Sequence, residues 1–161
     1  MSASQPKILC IDSDQTTGEW IENQLRPIHP TISVTSVEGG RRALKVLYRD
    51  AFDLCVIDYA LPDMTGVQLC YLMRQIGYTV PIMIFTAMNR LIDREKAAAA
   101  GANEFLSKPD DLDIFCFAVK RLLGKRRAIY AHNETISTLT RSHDPNYPID
   151  QDHSQFRSIN S

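Results

Sequence analysis

Five polar residues follow short apolar segments of the chain and carry groups suited to phosphoryl chemistry. Two acids follow the first segment, and an acid, a hydroxyl and an amine follow three later ones: Asp12, Asp14, Asp58, Thr86 and Lys108. Clustered carboxylates repel each other unless a cation neutralises them, and oxygen ligands favour a hard metal such as Mg²⁺. A carboxylate can also attack phosphorus and form an acyl phosphate. These residue types therefore indicate phosphoryl transfer, in which a metal, an ammonium and a hydroxyl supply positioning and charge neutralisation.

Taken singly, each of these residues also has an ordinary structural role. An Asp before a helix is usually an N-cap, a Thr at a strand end is usually a turn residue, and a Lys before a proline is usually solvated. The repetition favours function, because one acid-rich turn, one Asp, one Thr and one Lys at successive strand ends are hard to obtain by chance.

The elements that must position these residues alternate along the chain. Apolar runs predict five strands, at residues 7–11, 31–35, 54–57, 80–85 and 105–106. Helical spacing predicts a helix after each strand, at about residues 14–26, 43–47, 67–76, 91–100 and 112–123. Five such alternations imply a parallel sheet with helices on both faces. The functional site of such a sheet lies outside the carboxyl ends of its strands, so the five polar residues share one rim.

Composition excludes several classes of protein. Apolar residues make up 44% of the chain, enough for an ordinary core, and the net charge of -1 draws it neither to nucleic acid nor to anionic lipid. No apolar run reaches the length of a signal peptide or a membrane span. The cysteines are scattered singly, which is typical of buried free thiols in a reducing compartment: Cys10, Cys55, Cys70 and Cys116. We therefore expect a cytoplasmic protein with no direct nucleic-acid or membrane partner.

From about Lys7 to Leu123 the sequence resembles the receiver domain of bacterial two-component response regulators, as in the chemotaxis regulators. Four segments carry the resemblance: Ile8–Asp14, Asp58–Gly66, Ile84–Ala87 and Lys108–Pro109. The Asp followed by Pro four residues on and Gly eight residues on is the specific signal. The resemblance implies a flavodoxin-like five-stranded parallel sheet of order 2-1-3-4-5 with helices on both faces. It also implies a cis Lys-Pro bond that aims the lysine inward.

The resemblance assigns a role to each matching residue of the rim. Asp58 is implied to be the phosphoacceptor, and Mg²⁺ is implied to bind Asp12, Asp58 and the backbone carbonyl of Ala60. Thr86 resembles the hydroxyl that bonds the phosphoryl oxygen, and Lys108 resembles the cation that pairs with it. The implied phosphodonor is a sensor histidine kinase or a phosphotransfer protein in a phosphorelay.

Three further positions follow from the same resemblance. Ala87 matches the small residue that leaves the phosphoryl group accessible, and Phe105 matches the aromatic switch that turns inward as Thr86 moves. Neither Ala60 nor Met88, each two residues past a site residue, can hold a hydrolytic water by a side-chain hydrogen bond. The chain is therefore expected to catalyse only its own phosphoryl transfer, with slow self-dephosphorylation.

The sequence departs from the family pattern at Ser13. The family usually carries two adjacent acids after the first strand, and the second acid binds the metal directly. Here the pair is Asp12-Ser13, and serine offers only a neutral oxygen in place of a full negative charge. We therefore predict weaker Mg²⁺ binding than in a typical receiver. Asp14 would compensate only if the turn shifted, and its position suits a cap of the first helix.

The last predicted helix has one expected core face: Leu112, Phe115, Cys116, Val119, Leu122 and Leu123. Ile114 and Phe117 lie opposite it and suggest an interface. In the family, the fourth helix, fifth strand and fifth helix form the face for dimers and downstream targets. We expect residues 1–124 to be the receiver domain and residues 125–161, rich in polar residues, to be a C-terminal extension or linker without an effector domain.

Two other functions remain open. A pseudo-receiver would keep the fold as an interaction module without being phosphorylated, and Ser13 is the feature that favours it. A flavin-binding electron carrier on the same fold would need a hydroxyl- or glycine-rich anion loop after the first strand. The acidic turn Asp12-Ser13-Asp14 would repel a flavin phosphate, so the flavin carrier ranks last.

Overall fold

The computed structural model describes residues 5–125 and residue 128. Five strands form one sheet of order β2-β1-β3-β4-β5, in which all neighbours run parallel. The strands are β1 Lys7–Ile11, β2 Ser33–Val37, β3 Leu54–Ile57, β4 Ile82–Thr86 and β5 Glu104–Ser107. The predicted fold class and strand order are thereby confirmed.

Helices cover both faces of this sheet. Four of them are α1 Thr16–Leu25, α2 Gly40–Arg49, α3 Gly66–Gln75 and α4 Leu91–Ala99, and the fifth, α5, begins at residue 115 and includes all described residues from there on. Alternate side chains of each strand enter two separate cores. One core joins the sheet to α2, α3 and α4, and the other joins it to α1 and α5. Because both faces are covered, β1, β3 and β4 read as continuous apolar runs.

Gly66 lies eight residues after Asp58, and there is a steric reason why this position holds a glycine. A side chain at Gly66 would collide with the backbone carbonyl oxygen of Asp58. Gly66 opens α3, directly after a capping box in which Thr65 and Gln68 each bond the other's backbone N–H. The Gly66 N–H also donates to the Tyr59 carbonyl at 2.7 Å. The motif therefore folds the loop after β3 tightly against its own strand end.

Several element boundaries differ from the sequence prediction. β2 begins at Ser33 instead of residue 31, and β4 occupies Ile82–Thr86 instead of residues 80–85. Strand pairing sets these limits, since all five residues of β2 match the five residues of β1 in register. Helix α1 begins at Thr16, two residues after the predicted start. Pairing and turn geometry are tertiary properties that local composition does not report.

The last helix was predicted at residues 112–123, and the prediction of its first residue was wrong. Residues Leu112–Ile114 form one 3₁₀ turn, and α5 begins at residue 115. Leu112 is therefore 39% exposed instead of lying in the core, and Cys116 is half-buried. The cause is the tight turn after β5, in which the Asp111 N–H donates to the Ser107 carbonyl.

Two expectations concern the chain as a whole. Three cysteines are buried and the fourth is half-buried: Cys10, Cys55, Cys70 and Cys116. Within the described ranges, no helix has the length and apolar character needed to cross a bilayer.

The chain divides into one unit of residues 1–127 and a second of residues 128–161. The predicted extension from residue 125 falls almost entirely outside the described residues.

Candidate functional site

Backbone hydrogen bonds continue the sheet one residue beyond three of its strands. These bonds fix the backbone positions of the site residues. The Asp12 N–H donates to the Val37 carbonyl at 3.0 Å, and the Asp58 N–H donates to the Ile11 carbonyl at 2.8 Å. The Lys108 N–H donates to the Thr86 carbonyl at 2.7 Å. Parallel strands bring all these residues to one edge, as the sequence predicted.

The Asp12 carboxylate is buried and its oxygens bind three groups. Oδ1 accepts the Asp14 backbone N–H at 2.8 Å. Oδ2 accepts the Thr17 hydroxyl at 2.9 Å and the Lys108 ammonium at 3.0 Å. Burial of a carboxylate is costly unless it has such hydrogen-bond and ion-pair partners. The Lys108-Pro109 bond is cis, as the resemblance implied.

The Asp58 carboxylate accepts the Ala60 N–H at 3.2 Å and lies close to the Thr86 side chain and to the acid Asp12. Partial burial raises the pKa of Asp58, and the Asp12 charge raises it further, while Thr86 and Lys108 lower it. The one nearby ammonium pairs with Asp12, so a second cation beside Asp58 would lower the pKa of Asp58 further.

The oxygen donors present fit a hard divalent cation. Carboxylates from Asp12 and Asp58 lie near each other, and the Ala60 carbonyl and Ser13 hydroxyl belong to the loops that follow the same two strands. The described part of the chain contains no set of three His, Cys, Asp or Glu side chains that could hold a metal. Two carboxylates supplemented by neutral oxygens remain a suitable ligand set for Mg²⁺, which keeps several waters of its own.

In the turn after β1, the side chains of Ser13 and Asp14 lie in different surroundings. Ser13 is exposed, and the Asp14 carboxylate turns towards α1, where Oδ1 accepts the Thr16 N–H at 2.9 Å and its hydroxyl at 2.7 Å. These two hydrogen bonds lower the pKa of Asp14. Gln15 is the N-cap residue of α1 and makes no side-chain cap, so Asp14 takes that role.

A cluster of aromatic side chains lies behind the rim. The Trp20 ring stacks on Phe85 with centroids 5.6 Å apart, and Phe115 packs against both. The Lys108 Nζ lies 4.7 Å from the centroid of the Phe85 ring. A surface pocket of about 250 Å³ opens here beside Asp14. Nearby, burial raises the pKa of the Cys10 thiol to about 12, which keeps it protonated and unreactive.

The predicted switch residues and the predicted partner-surface residues lie in different parts of the structure. Thr86 is buried beside Asp58, and its hydroxyl also accepts the Met88 N–H at 3.3 Å. Ala87 is exposed at the rim, whereas Phe105 is buried beneath the Arg94 guanidinium. Ile114 is 44% and Phe117 is 70% exposed, as expected for an outer surface.

Sequence reasoning missed two residues that act on the site. The Thr17 hydroxyl donates to Asp12 from the first turn of α1, and only its position in the first turn of a capped helix could have indicated this. Arg94 contacts Phe105 and Asp111 from α4, and the sequence gives no signal for contacts between residues 11 and 17 positions apart.

Comparison with known proteins agrees with this architecture. The family model of the response regulator receiver domain matches residues 8–120. The heme response regulator HssR of Staphylococcus aureus strain bovine RF122 / ET3-1 is 31% identical over 133 residues, which cover 82% of this chain and 58% of that regulator. The chain therefore spans a little over half the length of the curated relatives it matches.

Solved receiver structures have the same fold. A putative response regulator from Chloroflexus aurantiacus J-10-fl matches with 30% identity and a TM-score of 0.68, covering 75% of this chain and 99% of its own. The non-phosphorylated HemR receiver domain from Leptospira biflexa matches with 28% identity and a TM-score of 0.65, covering 74% and 94%.

The chain belongs to the response regulator receiver domain family. Receiver domains are signalling modules of two-component systems, are phosphorylated by histidine kinases, and generally bind Mg²⁺ at the phosphorylation site.

Proposed function

We propose that this chain is a phosphoacceptor signalling domain that takes a phosphoryl group on Asp58. One observation carries the proposal: the partly exposed Asp58 carboxylate lies close to the Thr86 side chain and beside the Lys108–Asp12 ion pair, at the rim formed by the strand ends. A carboxylate oxygen of Asp58 attacks phosphorus of a phosphohistidine on the donor. A P–O bond forms, the P–N bond breaks, and the imidazole leaves with the electron pair.

The remaining rim residues have defined tasks in this transfer. The Thr86 hydroxyl donates to an oxygen of the incoming phosphoryl group, and the Lys108 ammonium exchanges Asp12 for another phosphoryl oxygen. Asp12, Asp58, the Ala60 carbonyl and Ser13 are the residues that would hold Mg²⁺. The ion would supply neutralisation of the negative charge that accumulates during transfer. Ser13 contributes no charge, so we propose weaker Mg²⁺ binding than in receivers with two adjacent acids.

Partners and cellular location follow from the same role. We propose a sensor histidine kinase or phosphotransfer protein as the donor, in the cytoplasm. Residues 1–124 would form the receiver, and residues 125–161 an extension or linker. Phosphorylation would change the face formed by α4, β5 and α5, on which Ile114 and Phe117 are exposed, and so alter binding of a second copy or a downstream protein. Slow self-dephosphorylation completes the cycle, since the side chains of Ala60 and Met88 offer no hydrogen bond strong enough to hold a hydrolytic water.

Incubation with acetyl phosphate and Mg²⁺ tests this function. Intact-mass measurement should show one phosphoryl increment in the wild-type chain and in the Asp63→Ala variant, whose carboxylate binds the Gly40 and Arg41 N–H groups instead of a site residue. The Asp58→Ala variant should show none.

Two other results would count against the proposal. An increment that persists in Asp58→Ala would place the modification elsewhere. A folded wild-type chain that takes no phosphoryl group from acetyl phosphate or from a phosphorylated kinase would make it a pseudo-receiver.

A further inference from the structure

Helix α2 carries four positive charges and one aromatic ring on its outer face. The charged residues are Arg41, Arg42, Lys45 and Arg49, and Tyr48 lies among them. All five are exposed, and Tyr48, at 89%, is the most exposed large apolar side chain of the described residues. The helical repeat places the five within about a third of the helix circumference, opposite the residues that enter the core. We call this surface the basic strip.

The cations of the basic strip lack acidic partners. None of them forms an ion pair in the part of the chain that the structure describes. The acids near the start of α2 bond other groups. Asp63 accepts the backbone N–H groups of Gly40 and Arg41, both at 2.9 Å, and these bonds lower the pKa of Asp63 more than the charge of the Arg41 side chain does. Glu38 accepts the Gln15 side-chain amide at 2.7 Å.

The basic strip lowers the intrinsic stability of its own helix. Arg41, Lys45 and Arg49 follow one another at a spacing of four residues, at which like charges on a helix repel. Arg41 and Arg42 lie in the first turn, which holds no acid and where the helix dipole disfavours cations. Only Arg49 lies in the last turn, where the dipole favours a cation. An anion bound along the strip would remove the repulsion, and local rules broken in this way are typical of functional surfaces.

The length and charge of the basic strip favour an acidic helix as its partner. Arg41 and Arg49 are eight residues apart, which is about 12 Å along the axis, or two turns of a facing helix. Acids at a spacing of four residues on that helix would place a carboxylate beside each cation, and an apolar neighbour would cover Tyr48. A nucleic acid or a bilayer attracts a net positive charge over a larger surface, whereas the whole chain has a formal net charge of -1.

We propose that the basic strip of α2 is a docking surface for an acidic amphipathic helix of another protein. The arginine side chains bond the carboxylates of the partner, Lys45 adds charge at the centre, and Tyr48 supplies the apolar contact. Arginine and tyrosine are the residue types that often carry the binding energy of protein interfaces. The surface follows β2, at the opposite edge of the sheet from β5, and does not depend on the phosphoacceptor role.

The test uses the full chain and a fluorescent helical peptide about four turns long, with glutamate at every fourth position of one face and leucine beside it. A second peptide has glutamine in place of glutamate. Fluorescence anisotropy measures binding at about 50 mM and about 150 mM salt, because salt screens exposed charges. The double variant Lys45→Gln/Arg49→Gln removes two charges from the basic strip. Lys96→Gln/Lys120→Gln is the matched control, since both lysines are exposed on other helices.

The wild-type chain should bind the acidic peptide about tenfold or more tightly than the glutamine peptide, and more weakly at the higher salt concentration. Lys45→Gln/Arg49→Gln should weaken binding of the acidic peptide about fivefold to twentyfold, whereas the control double variant should bind it as the wild type does. Tyr48→Ser should weaken it about threefold, because an apolar contact is lost, and Tyr48→Phe should restore most of the affinity. Thermal unfolding shows whether each variant is folded.

Equal affinities of the wild type and Lys45→Gln/Arg49→Gln for the acidic peptide would overturn the proposal. Single-stranded RNA and phosphatidylserine vesicles are measured in parallel, and tighter binding of either one would mean that the basic strip serves a polyanion instead of a protein helix. Asp58→Ala should bind the acidic peptide as the wild type does. Binding of the peptide is therefore independent of whether the chain accepts a phosphoryl group, and the two proposals fail separately.

Discussion

The Lys108 ammonium forms an ion pair with Asp12, its Nζ lying 3.0 Å from Oδ2, and within the described residues it forms none with Asp58. Asp12 is almost fully buried, whereas 27% of the Lys108 side chain is exposed. Lys108 thus neutralises the acid that we propose as a ligand of a divalent cation. Lys108 and the cation would then compete for Asp12, and binding of the cation would free the ammonium for a phosphoryl group.

Replacing Lys108 should expose this competition. Lys108→Gln leaves the buried Asp12 charge without its ammonium and should lower the free energy of unfolding by about 1–3 kcal/mol. Added Mg²⁺ should raise the melting temperature of this variant more than that of the wild type, because the ion takes the vacant place. Lys120→Gln, on the exposed side of α5, is the control. Equal Mg²⁺ responses in Lys108→Gln and wild type, measured by thermal unfolding, would contradict the competition.

Restoring an acid after Asp12 should strengthen metal binding. Ser13→Asp adds a full negative charge next to the site and should tighten Mg²⁺ binding on the order of tenfold, about 1.4 kcal/mol. The single tryptophan, Trp20, can report it by fluorescence, since it stacks on Phe85 beneath Lys108. Ser13→Ala, which removes only a neutral oxygen, should change the affinity far less. An unchanged affinity in Ser13→Asp would show that residue 13 does not face the metal.

The raised pKa of Asp58 predicts a specific dependence of stability on pH. Its folded-state pKa lies above the unfolded value, so the ionised carboxylate destabilises the fold at neutral pH and its protonation removes that penalty in acid. Asp58→Asn should therefore raise the melting temperature at pH 7 by roughly 2–5 °C. The gain should shrink as the pH falls through the folded pKa. A gain of the same size at all pH values would mean that charge is not its cause.

Gly66 offers a test of the loop that carries Asp58. Gly66→Ala forces a methyl group against the Asp58 carbonyl oxygen and should cost about 2–4 kcal/mol of stability. Phosphorylation by acetyl phosphate should fall with it, because the loop must move. Gly124→Ala is the matched control, since a side chain there meets nothing within 4 Å and lies in α5. It should stabilise the protein by about 0.5–1 kcal/mol. Equal denaturation midpoints for both variants would refute the steric argument.

The outer face of α5 should serve association and not phosphorylation. Phe117 is 70% exposed on α5, whereas the rim residues lie at the ends of the strands. Phe117→Ser should leave the phosphoryl increment from acetyl phosphate unchanged and weaken self-association or target binding in the presence of beryllofluoride, as measured by analytical ultracentrifugation. Lys120→Ser, on the same exposed side of α5, is the control. Association that survives in Phe117→Ser would exclude this residue from the interface.

The strand ends were predictable because their signals are local. Runs such as Leu54–Ile57 are apolar throughout, and a parallel sheet turns such runs into strands buried on both faces. The rule that parallel strands end at one edge then placed Asp12, Asp58 and Lys108 together without coordinates. The boundaries of the strands were harder to predict. β2 begins two residues later than predicted, because its register with β1 sets its limits and its composition does not.

The amino-acid sequence by itself determined the fold class, the strand order implied by its resemblance, and the residue types gathered at the rim. These depend on periodicity and on short motifs, which are written along the chain. Only the tertiary structure decided that Lys108 pairs with Asp12, that Thr17 completes the hydrogen bonds of Asp12, and that Arg94 covers Phe105. Such contacts join side chains from different elements, and their geometry depends on how helices pack on the sheet, which no local pattern encodes.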